Sequence, residues 1–257
     1  MRRLFFLLLL LTSCSEIFAS VIYVSKDANG ANDGTSWTNA FTDLGTAINA
    51  AAAGDDLRIT VGTYTYHNLS YTIDENITIT GGFDGSELGA TPNNPIANFN
   101  INDFGSGTRI NGEGAQAFLT IDGTTANGSI SNATRIQNIV FLSNGFKQYG
   151  IEVLGDNTTQ TTDPVIKDCI FWSFTRSAIS MDGTNGNLGV NIENCTFRFN
   201  GNTTNPSGAA ITVNASNSSS TVTIRNSTFS DNEANDAGGA IYSSGCDNLY
   251  ILDSKFT

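Results

Sequence analysis

Five segments of the chain share one six-residue signature: IQNIVF from residue 136, IKDCIF from 166, IENCTF from 192, IRNSTF from 224 and ILDSKF from 251. Each has Ile first, Asn or Asp third, a small or apolar residue fourth and Phe sixth, and successive starts lie 30, 26, 32 and 27 residues apart. The first four are followed by a second apolar segment, GIEV at 150, SAISM at 177, GAAITV at 208 and GGAIY at 238. From the Phe to the next Ile is 10, 8, 14 and 12 residues, so much of the variation in period falls in the connecting loops. A unit this small cannot bury its own apolar face, so the copies must stack.

Stacking puts strand on strand about 4.8 Å apart, with like positions above one another. Ile136, Ile166, Ile192, Ile224 and Ile251 then form one interior column, and Phe141, Phe171, Phe197, Phe229 and Phe256 a second. At the fourth position Ile139, Cys169, Cys195, Ser227 and Ser254 point inward, where free thiols serve as small buried fillers. A Cys169–Cys195 disulfide is disfavoured, because in-register parallel neighbours seldom present the required geometry. The third position, Asn138, Asp168, Asn194, Asn226 and Asp253, reads as a corner, since Asn and Asp tolerate left-handed torsion. With the corners buried and stacked, the amides of Asn138, Asn194 and Asn226 would bond from coil to coil as an asparagine ladder.

Composition agrees with short strands and many turns. Of 257 residues only 14% are charged, Gly numbers 26, and helix-forming runs occur only near the N-terminus. Residues 1–13, MRRLFFLLLLLTS, set two arginines before an apolar run too short to span a bilayer, the layout of a secretory signal. Cleavage after Ala19 would leave the strand Val21–Val24 near the new terminus. Alternatively, Leu11-Thr12-Ser13-Cys14 reads as a lipobox, with Cys14 lipidated. Either way the protein is expected to be exported, to the outer cell surface or beyond. Without Arg2, Arg3 and Glu16, the chain from Ser20 holds ten basic and twenty-three acidic residues, a net charge of −13. Such a surface repels phosphate backbones, which excludes nucleic acid as a partner.

On these repeats the chain resembles right-handed parallel β-helix proteins over residues 21–257, within the pectate-lyase-like superfamily. The opening YVSKDANGANDGTSWTNAFTDLGTAINAAAAGDDLRITVGTY is similar to the N-terminal region of secreted bacterial β-helix proteins, including polysaccharide lyase relatives. That resemblance implies a first strand, a short helix over Phe41, Leu44, Ala47, Ile48 and Ala51 plugging the barrel end, and a stack beginning at Leu57 after Gly54-Asp55-Asp56. Phe-x-x-Asn at Phe141–Asn144, Phe197–Asn200 and Phe229–Asn232, with Gly238-Gly239-Ala240-Ile241, looks like the repeats of chlamydial polymorphic membrane proteins, which are surface adhesins. The match departs at Phe174, where Asn is expected, and at Gly208-Ala209-Ala210-Ile211.

The expected fold is therefore all-β: a single-stranded right-handed parallel β-helix with an N-terminal capping strand and short helix. Residues 1–19 form the signal, 20–56 the cap and 57–257 the coils. The last motif ends at Phe256 with no capping segment before the chain stops at Thr257, so part of the stack, or a further domain it would carry, is expected to be missing.

Candidate chemistry is sparse. Lyases of this fold use acidic calcium ligands beside a basic proton acceptor. The outward column Gln137, Lys167, Glu193, Arg225 and Leu252 is mixed, Glu152, Ser180, Thr212 and Tyr242 form another, and Arg176, Arg198 and Asp182 are scattered. Lys167 and Arg225 are the bases a lyase would have to use. DANGANDG at 27–34 offers oxygens from Asp27, Asn29, Asn32 and Asp33 for calcium, but without EF-hand spacing or a closing Glu, and it reads as a turn-rich loop. His67 is the single histidine and is expected in an exposed loop. Ten Asn-x-Ser/Thr sequons, at Asn68, Asn76, Asn127, Asn132, Asn157, Asn194, Asn202, Asn214, Asn217 and Asn226, are compositional. No catalytic, cofactor or metal residue is assigned. The expected function is adhesion or binding of polysaccharide, including host or cell-surface glycan. The alternatives are a lyase or glycoside hydrolase acting on acidic polysaccharide, and a scaffold for a further domain.

Overall fold

Alternating apolar residues on short strands leave one face to bury, and the strands meet that demand by pairing in parallel into three large sheets. The computed structural model describes residues 19–67, 69–94, 107–114, 117–124, 130–143, 148–155, 161–202, 210–215 and 219–257. The signal segment with Cys14, Asn144, Gly208, Ala209 and the sequons at Asn68, Asn127, Asn157 and Asn217 lie outside the described residues.

The first sheet holds Val21–Val24, Asp56–Thr60, Thr78–Phe83, Arg135–Gln137, Val165–Lys167, Asn191–Glu193, Thr221–Arg225 and Asn248–Leu252. The second holds Gly62–His67, Thr108–Glu113, Ile139–Ser143, Ile170–Trp172, Thr196–Arg198, Thr228–Ser230 and Lys255–Phe256. Tyr71–Ile73, Leu119–Asp122, Ile151–Leu154, Ile179–Asp182, Ile211–Asn214 and Ile241–Ser244 form the third. The chain visits the sheets in turn, giving one strand to each per coil. The result is a parallel β-helix, whose crossovers strand twist biases to the right-handed sense.

The expected columns are present. Ile136, Ile166, Ile192, Ile224 and Ile251 stand in register, the first four buried and Ile251 41% exposed, and the column runs back through Ile79, Leu57 and Ile22, where the signature is absent. Phe141, Phe171, Phe197, Phe229 and Phe256 stack with nearly parallel rings, centroids 5.1, 5.0, 4.8 and 4.8 Å apart. All but the last are buried, and Phe256, with a ring on one side only, is 48% exposed. Cys169 and Cys195 are free and buried, as expected. Burial, reinforced by the Cys169 thiol, pushes the Cys195 thiol well up, which keeps it unreactive.

The corner reading holds for the backbone and fails for burial. Asn138, Asp168, Asn194, Asn226 and Asp253 all take positive φ, between 49° and 58°. Asn194 and Asn226, however, are exposed, because a left-handed corner turns its side chain off the sheet; of the three asparagines only Asn138 is buried. The amides form no continuous ladder. Asn194 Nδ2 donates to Asp168 Oδ1 at 2.5 Å, whereas Asn138 Nδ2 donates to the Gly81 carbonyl at 2.7 Å.

An asparagine pair does exist one corner later, in Phe-x-x-Asn, with Asn200 buried and Asn232 half-buried. Asn200, 0% exposed, donates Nδ2–H to the Phe171 carbonyl and accepts from Phe174 N–H; Asn232 repeats this one coil on, donating to the Phe197 carbonyl and accepting from Asn200 N–H. Each amide thus satisfies main-chain groups of the preceding coil where the strand breaks. The residue before it is also left-handed: Ser173, Phe199 and Asp231 have φ of 63°, 56° and 55°. Phe174 replaces the asparagine by packing, buried edge-on to Phe118 at 6.0 Å. Gly238, at φ 69°, turns the chain before Ile241–Ser244; a Cβ there would sit 2.5 Å from the Ile241 carbonyl oxygen.

At the N-terminal end, Val21–Val24 extends the first sheet and the helix Leu44–Ala50 covers the core. Asp43 caps it, accepting from Thr46 N–H at 2.8 Å, and Leu44, Gly45, Ala47 and Ile48 are buried. Phe41 precedes the helix, bridging to Val24. Buried Asp55 fastens the residue that precedes the strand Val21–Val24, accepting from Ser20 N–H and Ala52 N–H at 2.7 and 2.9 Å. His67 is exposed as expected, yet it ends the strand Gly62–His67 instead of lying in a loop. Among the described residues no helix is long and apolar enough to cross a membrane.

Candidate functional site

Three neighbouring strands of the first sheet, Val21–Val24, Asp56–Thr60 and Thr78–Phe83, finish side by side because they pair in parallel. The segments that leave them bound a cleft of about 360 Å³. Asp27 and Asn29 come from the first segment, Trp37 and Thr38 from the loop that follows, Thr60 from the second strand and Asp84 from the turn after the third.

The Trp37 ring is held from several sides. Its Nε1–H donates to the Glu87 carbonyl at 2.8 Å, Tyr23 meets it edge-on at 4.6 Å, and Phe83 lies 5.6 Å away. The turn carrying Asp84 is organised by Glu87, whose buried carboxylate accepts from the N–H groups of Asp84, Gly85, Ser86 and Asn93. Buried Arg58 pairs with Asp56 at 2.9 Å and donates to the Gly89 carbonyl at 2.9 Å, tying the same loop to the sheet. Ring and turn are therefore fixed before any ligand arrives, which lowers the ordering cost of binding.

Two carboxylates border the cleft. Asp27 is paired with Lys26 at 2.7 Å. Asp84 accepts from Ser86 Oγ–H and N–H at 2.6 and 2.8 Å and from Asn93 Nδ2–H at 2.9 Å, and these bonds, Ser86 first, hold its carboxyl well below the usual range. Asp84 is thus an acceptor at neutral pH and no proton donor. Glu87 is consumed by the loop. The arrangement can accept hydrogen bonds from hydroxyl groups and offer an indole ring to a C–H surface, while Asp84 opposes an anionic ligand.

The DANGANDG loop divides between cleft and turns. Asp27 and Asn29 face the cleft, whereas Asn32 accepts from Thr42 N–H at 2.9 Å and Asp33 from Thr35 N–H at 3.0 Å. The four oxygens do not converge, and among the described residues no group of three or more His, Cys, Asp or Glu is placed to hold a metal ion. In the outward column Glu193 lies between Lys167 and Arg225 in register, so each candidate base has a carboxylate beside it. Arg176 stacks on Tyr149 at 5.5 Å, and Asp182 closes a turn on Thr184. Neither Trp37 nor Asp84 was legible as a site residue: both lie outside the repeat, 47 positions apart, and only the sheet topology brings them together.

Fold and cleft define a class, a parallel β-helix protein with a fixed, polar, aromatic-bearing cleft at its capped end. No family model and no curated protein matches the chain.

Proposed function

We propose that the chain is an exported protein of the cell surface or extracellular space that holds polysaccharide without cleaving it, with a neutral sugar in the Trp37 cleft. The observation that carries the reading is the joining of a fixed indole ring with Asp27, Asp84, Asn29 and Thr38 around one cavity. Sugar rings need these two kinds of contact, an aromatic surface for C–H groups and acceptors for hydroxyls. Export rests on residues 1–19, with a lipid anchor at Cys14 as one of its two forms. The net charge of −12 counts against polyanionic partners, uronate polymers included. Trp37 and Trp172 are the only tryptophans, so Trp172→Phe leaves Trp37 as sole reporter. Its fluorescence is expected to change saturably with cellohexaose or mannohexaose and to be indifferent to hexagalacturonate; no response to either neutral hexasaccharide refutes the assignment.

One observation favours an enzyme reading. Burial, reinforced by Asp182 and Asp122, pushes the Glu152 carboxyl up, as a glycosidase proton donor requires. Against it, Asp122 and Asp182 each close a turn on Thr124 and Thr184, at 2.8 and 2.9 Å. Reducing ends released from neutral glucan or polygalacturonate and lost in Glu152→Gln would establish a hydrolase. Calcium-dependent ultraviolet absorbance from polygalacturonate, lost in Lys167→Ala or Arg225→Ala, would establish a lyase.

A further inference from the structure

On the outer face of the second sheet, two aromatic rings meet at the corner that follows the strand. Trp172 points outward because Phe171 beside it points in, and its ring meets Phe199 of the next coil at 5.0 Å and 69°. The Arg198 guanidinium lies 4.6 Å from the Phe199 ring and 5.3 Å from Trp172. Its Nε donates to Asp231 Oδ2 at 3.2 Å, one coil further on.

Phe199 is the unusual member. It occupies the left-handed corner held by Ser173 and Asp231 in the neighbouring coils, small polar residues that this torsion accepts readily. An aromatic residue is strained there, and the core does not compensate, since Phe199 remains 42% exposed. The ring is instead turned outward, where with Trp172 it makes two near-perpendicular walls beside an ion pair.

We propose that Trp172, Phe199, Arg198 and Asp231 form a second carbohydrate subsite, which takes a neutral pyranose with its C–H face on the exposed part of the Phe199 ring and its hydroxyls on the ion pair. Asp231 engages one guanidinium N–H, which leaves the others for hydroxyl acceptors, and the carboxylate accepts from hydroxyl donors. The ion pair is internally neutral and immobilised by two rings, which suits an uncharged ligand in a chain of net charge −12. The subsite shares its ligand class with the Trp37 cleft and rests on different residues. A polysaccharide long enough to span both sites would be held at two points, with avidity above that of either site alone.

The test uses Trp37→Phe, which leaves Trp172 as the only tryptophan, titrated by fluorescence with cellohexaose, mannohexaose and hexagalacturonate. A saturable change with a neutral hexasaccharide is expected. Phe199→Ser, which installs the residue of the preceding coil, is expected to weaken it about tenfold with far-ultraviolet dichroism unchanged. Trp172 emission unmoved by both neutral sugars, moved by hexagalacturonate alone, or moved with the same affinity in Phe199→Ser overturns the proposal. The reciprocal Trp172→Phe protein separates the two readings. A response there without one in Trp37→Phe removes this subsite and keeps the cleft, and the reverse removes the cleft and keeps this subsite.

Discussion

Replacing Phe197 by Ala should be among the most damaging single changes available, and replacing Phe256 one of the mildest of its kind. Phe197 is fully buried, with parallel rings on both faces at 5.0 Å to Phe171 and 4.8 Å to Phe229. Truncating a buried Phe costs about 3–5 kcal/mol when the cavity cannot collapse. A rigid stack of paired strands resists collapse, and two ring contacts of roughly 0.5–1.5 kcal/mol each are lost with the side chain, so the upper end, about 5 kcal/mol, applies. Phe256 has one ring neighbour at 4.8 Å and is about half exposed, which leaves about 1–2 kcal/mol. With a urea m-value of about 3 kcal/mol/M, the midpoint should fall by about 1.7 M for Phe197→Ala and by about 0.3–0.7 M for Phe256→Ala. Equal shifts for the two variants, at unchanged m, would show that the aromatic column is not what joins one coil to the next.

Gly45→Ala places a methyl group 1.8 Å from the Tyr71 ring; despite a helix-propensity gain of about 1 kcal/mol, a net loss of about 1–3 kcal/mol is expected in thermal melts and should be relieved by Tyr71→Leu. Asn200→Leu strands the Phe171 carbonyl and the Phe174 N–H, so a loss of about 2–4 kcal/mol is expected, with faster amide exchange at Phe174 as the local readout. Because the Asp84 carboxyl is held below its ordinary value of 3.8, its contribution is complete above about pH 4 and fades as pH falls further. Hydrogen exchange in residues 84–94 should show that acid-side loosening, and Asp84→Asn should abolish its pH dependence. The Glu152 carboxyl is raised above its ordinary value of 4.5, so its protonated form favours the fold and that gain disappears as pH climbs past the raised value. Glu152→Gln should therefore raise the melting temperature at pH 7 and leave it unchanged at pH 4.

Residues that recur at one place in the coil were readable from the chain because the stack converts a period into a column. That is why the Ile and Phe columns, the inward cysteines and the left-handed third position all appeared at their expected numbers. Burial of Asn194 and Asn226 did not follow, since a corner constrains backbone torsion while the side chain's direction depends on the turn. The Phe-x-x-Asn motif was visible, but its work, satisfying the carbonyl and N–H of the previous coil, depends on which groups the strand break leaves unpaired. Ser173, Phe199 and Asp231 share a torsion without sharing a side-chain type, so no pattern announced the second corner. Trp37 and Asp84 meet only because the first three strands of one sheet end together, a relation that periodicity does not encode.

Strands in this molecule lie across the long axis and their hydrogen bonds run along it. A pull on the two ends of the stack therefore loads the rungs of a single strand pair in succession, and coils should peel away singly instead of shearing together. Each detached coil would release a length of about 100 Å, at modest and repeated force. A polymer tethered to such a column would meet a yielding attachment, able to lengthen in steps and rewind when tension falls.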